Sequence, residues 1–154
     1  MQFSVMHWHP MLVHFPLALV ITATACLTVS RMMSQTPTSL SLATVGTWNL
    51  ALGAISALIA MASGLVAVFA VSLPPTAVDA KHSLHLHEAC AVLSTLIILA
   101  LAIWRAFAHR ASIRPSWIFL ALLLLASVVL IVTGFYGGEN VFHYGLAVEG
   151  KVVS

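Results

Sequence analysis

The sequence predicts an all-α membrane protein, a bundle of four transmembrane helices with both termini on the periplasmic side. Three observations predict it. The chain is 61% apolar and only 6% charged, where a soluble domain carries roughly 25% charged residues. Four apolar runs each reach the about 20 residues that a helix needs to cross a bilayer core. The lysines and arginines divide unevenly between the segments that join those runs. With six basic and four acidic residues in 154, the chain cannot cover a water-facing surface. A soluble enzyme, a disordered chain and a nucleic-acid binder are excluded, and a net charge of +2 is too small and scattered to steer polyanions.

The first span is read at 11–30. A cleaved signal peptide wants a basic leading region, and Met1 to Phe15 holds no lysine or arginine. Ala23-Thr24-Ala25-Cys26 only faintly resembles a lipoprotein cleavage site, so the span is read as retained. The segment 31–44 is rich in Met, Ser, Thr and Pro and is read as a loop. The second span, 46–72, stops before Pro74-Pro75; the third covers 86–104. Arg105, Arg110 and Arg114 fill the next loop, and Pro115 with Ser116 opens the fourth span, 116–136, proline being tolerated only at a helix start. A tail at 137–154 carries Val141, Phe142, Tyr144, Leu146 and Val148, a composition suited to lying on the membrane or against a partner. One domain, 1–154, results, with no repeat and no soluble part able to hold a substrate. Strands of a β-barrel would alternate apolar and polar residues, and these runs do not.

Arg31, Arg105, Arg110 and Arg114 fall in two loops on one side. Lys81 and Lys151, with Asp79, Glu88, Glu139 and Glu149, fall on the other. The arginine side is therefore the cytoplasmic one, in a bacterial inner membrane crossed several times. Cys26 and Cys90 stand near opposite membrane faces on this topology. At about 1.5 Å of rise per residue, they are too far apart for a disulfide and are read as reduced packing residues.

Seven of eight histidines then collect at one end. His7, His9 and His14 stand at the mouth of the first span, His82, His85 and His87 at the mouth of the third, and His143 after the fourth. His109 lies alone in the arginine loop. An ionisable residue inside a span defaults to a functional reading, whereas an interfacial histidine can be merely amphipathic, the plainer account of His7, His82 and His85. His14 and His87, on parallel spans at similar depth, form the first candidate pair. Glu88 either orients an imidazole or caps the third helix. Paired imidazoles between facing helices suit the axial positions of haem iron, with Phe15, Leu17, Leu84, Leu86 and Val92 as walls and Trp8 or Lys81 near the propionates. Gly53, Ala57, Ala60 and Gly64, and the pair Gly134 and Gly138, offer close backbone approach, or plain helix packing. Copper or zinc is the competing occupant, held by His82 and His85 with His7 or His9.

Two stretches carry a family resemblance. His9-Pro10-Met11-Leu12-Val13-His14-Phe15-Pro16-Leu17 resembles the HPxxVHFPxxL opening of the DUF2231 family of bacterial membrane proteins. Gly137-Gly138-Glu139-Asn140-Val141-Phe142-His143-Tyr144-Gly145-Leu146-Ala147-Val148 is similar to its closing GGxLVYxHGxxV, with Asn140 for leucine and Phe142 for tyrosine. His87, followed by an apolar span ending at Arg105, resembles the family's third helix. The resemblance covers essentially the whole chain. It implies a four-span protein found near, or fused to, c-type cytochromes and sorbosone-dehydrogenase-like domains, and hence a b-type haem electron carrier. Its histidines, carried over, are His9, His14, His87 and His143, enough for one haem or two.

The expectation is thus a cytochrome b-like subunit carrying electrons between a periplasmic redox partner and the quinone pool or another membrane subunit. His14 and His87 are the axial ligands, with His9 and His143 as a possible second pair. Paired histidines leave no open coordination position, so any catalysis belongs to the partner, a c-type cytochrome or dehydrogenase. Trp48 and Asn49 mark a faint quinone candidate. A haem-free anchor for a larger complex, or a copper- or zinc-binding membrane protein, are the alternatives.

Overall fold

A computed structural model describes residues 5–70, 73–108 and 114–146. These form five helices and, among the described residues, no strand: α1 (Val5–Leu12), α2 (His14–Met32), α3 (Pro37–Ala70), α4 (Val78–Ala108) and α5 (Trp117–Phe142). Four stretches are long and apolar enough to span a membrane, Trp8–Met32, Pro37–Phe69, Val78–Ala108 and Trp117–Phe142. The four-span architecture is therefore as the sequence predicts.

The ends differ, each for a local reason. The first span is broken at Val13 between α1 and α2. Pro16 has no N–H for the carbonyl of Leu12, and its ring crowds that carbonyl. Helix α3 begins nine residues before the expected start, because Thr36 and Ser39 cap it reciprocally. The Thr36 amide donates to Ser39 Oγ and the Ser39 amide to Thr36 Oγ1, both at 3.2 Å. Pro37 stands at the first helical position, where a missing N–H costs nothing. Helix α4 likewise starts soon after Pro74-Pro75. Helix α5 runs on to Phe142, so the first residues of the expected tail are helical. Gly145, at φ +68°, then turns the chain so that the Leu146 amide reaches the Asn140 carbonyl at 2.8 Å. The residues beyond, with Val148, Glu149 and Lys151, lie outside those described, as does His109.

Helices α2, α3, α4 and α5 close a ring in which each packs on its neighbours, and α1 lies against α3. Residues along one stripe of each spanning helix build the core: Val20, Ala23 and Leu27, Leu50 and Ala54, Ile98 and Leu101, and Phe119, Leu120 and Leu123. Gly46 and Gly53 let α2 come close, since a Cβ on either would meet Leu27 or Val20 within 3 Å, the use of small residues expected between membrane helices. This core fills the arginine-bearing half of the bundle. Outward-facing side chains such as Ile55, Leu96, Leu124 and Ile131 are half or more exposed and suit lipid.

Several polar groups inside the bundle are paired across helices, as a low-dielectric interior favours. Thr24 Oγ1 and Ser127 Oγ join α2 to α5 at 2.8 Å. Arg105, 2% exposed, donates from Nε to Thr47 Oγ1 at 3.0 Å. Arg114 donates to the Arg31 carbonyl at 2.8 Å and to the Met33 carbonyl, holding the end of α2. Arg31 lies over the Trp117 ring, 5.2 Å from its centroid. Cys26 and Cys90 are unlinked.

Candidate functional site

The histidine-bearing half is organised around two side chains from different spans. His9, on α1, reaches α3, where its Nδ1 lies 3.1 Å from the Ala60 carbonyl and 2.9 Å from Ser63 Oγ. His87, on α4, reaches α5, with Nδ1 at 2.9 Å from the Thr133 carbonyl. A main-chain carbonyl only accepts, so in both rings Nδ1 carries the proton. The neutral imidazole then has its lone pair on Nε2.

Both rings are seated by the same device. The carbonyl His9 uses is four residues before Gly64; the one His87 uses is four residues before Gly137. In an α-helix the carbonyl of residue i−4 lies under residue i, and a side chain there would screen it. Glycine removes the screen. A Cβ at Gly64 would come within 2.9 Å of His9 Cε1, and one at Gly137 within 3.0 Å of His87 Cε1. The two imidazoles are thereby fixed 6.3 Å apart, centroid to centroid, with planes at 82°.

The other sequence candidates stand elsewhere. His14 is exposed, and its Nδ1 donates to the Pro10 carbonyl one turn back in its own chain at 2.7 Å. The expected partnership of His14 with His87 is thus not the one formed; His9 takes that place, because the break at Val13 turns the two histidines of the opening motif in different directions. His143 is exposed with its ring 4.7 Å from that of Tyr144. It stands one residue ahead of the place that the closing pattern gives to histidine, which Tyr144 occupies. His82 and His85 are exposed, and His85 Nδ1 is 3.4 Å from Glu88 Oε2. Val92 faces a groove on the far side of α4. Among the described residues, no three of His, Cys, Asp and Glu converge as metal ligands.

Two further groups, neither among the sequence-predicted site residues, are buried in this half of the bundle. Ser83, one turn before His87 on α4, and Asn140, one turn after Gly137 on α5, are 4% and 5% exposed. Ser83 Oγ and Asn140 Oδ1 are buried without a hydrogen-bond partner, an arrangement that calls for a group to satisfy them.

The residues that make this arrangement sit in the opening motif, at the start of α4 and in the closing motif. The family model described as "Predicted membrane protein (DUF2231)" matches residues 6–150. The chain belongs to the DUF2231 family. No curated protein and no solved structure matches it. In this DUF2231 protein the opening motif supplies His9, and the closing motif supplies Gly137. The two ends of the family's pattern thus meet at one place in the bundle.

Proposed function

We propose that this chain is a haem-binding electron carrier of the bacterial inner membrane, with His9 and His87 as the axial ligands of one b-type haem. It would exchange electrons with a periplasmic partner and with the quinone pool or another membrane subunit. The observation that carries this reading is the His9–His87 pair. Two metal–nitrogen bonds of about 2 Å, with the distance from nitrogen to ring centre added at each end, put two centroids roughly 6 Å apart. The pair stands at 6.3 Å. Each ring keeps Nε2 for a metal, while Nδ1–H is held by a carbonyl, the outer-shell bond that orients metal-binding histidines.

The number of donors favours haem over a bare ion. Zinc takes three or four protein ligands, whereas a porphyrin brings four nitrogens and asks the protein for two. Ser83 fits the same group, since its hydroxyl can donate to a propionate oxygen, which needs hydrogen bonds where the helices bury it. Haem, when bound, supplies reversible one-electron chemistry. The chain's own part would be to hold both rings fixed by their Nδ1–H bonds to helix carbonyls and to surround the site with apolar helices. The arginines of the opposite end favour a periplasmic opening for the histidine end.

The test is the visible spectrum of the purified full chain, expressed with sufficient haem and reduced with dithionite, together with metal analysis. A sharp α-band is expected at one haem per chain. A chain with no α-band and no metal would support the haem-free anchor instead, and stoichiometric copper or zinc without haem would support a metal binder.

A further inference from the structure

The face of α4 opposite His87 carries a shallow, open groove. This groove, of about 690 Å³, runs between α3 and α4, walled by Leu65 and Val68 on one side and by Val92 and Leu96 on the other. His85 and Glu88 close one end of it, their side chains 3.4 Å apart. The stretch from His85 to Leu96 is roughly 16 Å long at the helical rise, about half the hydrocarbon thickness. The groove is thus an apolar trough that begins at a carboxylate and an imidazole near the membrane surface and ends among aliphatic side chains.

We infer that this groove binds an isoprenoid quinol, its ring at His85 and Glu88 and its tail along Val92 and Leu96. The polar end selects the head group. A phospholipid phosphate needs cationic or N–H donors, and the groove's lining holds no lysine or arginine; Glu88 would repel it. A quinol is neutral and presents two hydroxyl donors, which a carboxylate and an imidazole accept well. Position supplies the second argument. Glu88 follows His87 in sequence on the same helical turn, so the quinol ring and the His9–His87 pair face each other across the thickness of α4, roughly 10 Å.

The inference rests on the electron-carrier reading for its purpose. Oxidation of one quinol to quinone releases two protons and two electrons. Both protons would pass to the water that adjoins the polar end of the groove, where His85 is exposed, and the two electrons would leave one at a time by way of a haem held by His9 and His87, with the redox partner as the final acceptor.

The test uses the full chain in lipid nanodiscs and a photoreactive short-tail benzoquinone as probe. Labelling is expected in the peptide between Lys81 and Arg105, which holds every α4 residue of the groove. Val92→Trp fills the trough at a lipid-facing position and should lower labelling by roughly tenfold or more. Glu88→Gln, which removes the charged acceptor, should lower it by about tenfold. Neither change should alter haem content. Labelling spread over all four spans, or unaffected by Val92→Trp, or displaced by phospholipid but not by quinol, would overturn the assignment. A chain that labels in the groove yet lacks haem leaves the groove standing and removes the electron carrier; a haem-loaded chain that does not label does the reverse.

Discussion

His9 and His87 come from different spans and are anchored in the same manner, each donating Nδ1–H to a carbonyl four residues before a glycine. Neither ring could sit so close to a helix backbone if that glycine carried a side chain. The glycine and the carbonyl together act as a socket. The bundle has two sockets, one on α3 and one on α5, and they hold the rings 6.3 Å apart.

Replacing either ring should empty the site. His9→Ala and His87→Ala should each lower haem retention by about 10-fold or more, as loss of a metal ligand costs at least what loss of its outer-shell partner does. His14→Ala should retain haem, because that imidazole is exposed and bonded to Pro10. The measurement is haem per chain by reduced spectrum after purification. Loss in His14→Ala with retention in His9→Ala would restore His14 as the ligand.

The sockets predict an effect from a single methyl group. Gly64→Ala and Gly137→Ala place a Cβ 2.9 Å and 3.0 Å from an imidazole carbon, so the ring must leave its carbonyl. Overpacking of this kind costs about 1–3 kcal/mol, and the loosened imidazole should weaken haem binding about 10-fold to 100-fold. Gly134→Ala is the control, since a Cβ there meets nothing within 4 Å. Haem titration of the three variants checks this, and equal affinity in all three would remove the sockets from the account.

Much of this molecule is legible in its sequence, and the boundary of what is legible has a physical cause. Hydrophobic length and the placement of prolines and arginines give four spans because a bilayer imposes both constraints on any chain. Helix starts were harder. Thr36-Pro37-Thr38-Ser39 is a capping sequence, but its composition reads as loop until the reciprocal bonds of Thr36 and Ser39 are considered. The histidine end was visible as a cluster, whereas the choice between His9 and His14 was not. That choice depends on how the chain breaks between Pro10 and Pro16, a rotation that depth along a helix does not encode. Gly64 and Gly137 both lay in noted motifs, yet a glycine's role beneath a ring from another span appears only when the spans are packed. Ser83 carries no signal of its own, and Asn140 stands out only as a departure from leucine in the closing motif; that both are buried without partners appears only when the spans are packed.

Ser83 makes a prediction about the polar edge of the ligand. Haem should bind the full chain more tightly than its dimethyl ester, because the ester loses the propionate charge and part of its hydrogen bonding. Ser83→Ala should remove that preference, a change of about tenfold for one lost hydrogen bond to a charged group. The substitution also deletes an unpartnered buried atom, so the unliganded chain should be no less stable than the parent. Titrations with haem and with its dimethyl ester read the outcome. An unchanged preference would mean that a bound water satisfies Ser83 instead.

Orientation decides which compartment the site serves, and the charges make a definite statement about it. Arg31, Arg105 and Arg114 mark one end of the bundle, whereas Asp79, Lys81, His82 and His85 mark the other. Translocation holds back arginine-rich short loops, so His82 should face the periplasm. In a chain whose Cys26 and Cys90 are replaced by alanine, His82→Cys should react with a membrane-impermeant thiol reagent in intact spheroplasts. Ser34→Cys, in the segment between α2 and α3, should react only after lysis. His82 and Ser34 are both exposed, so access to the reagent and not burial sets the result. The opposite pattern would put His9, His87 and the α3–α4 groove at the cytoplasmic face, and the redox partner would then have to be a cytoplasmic one.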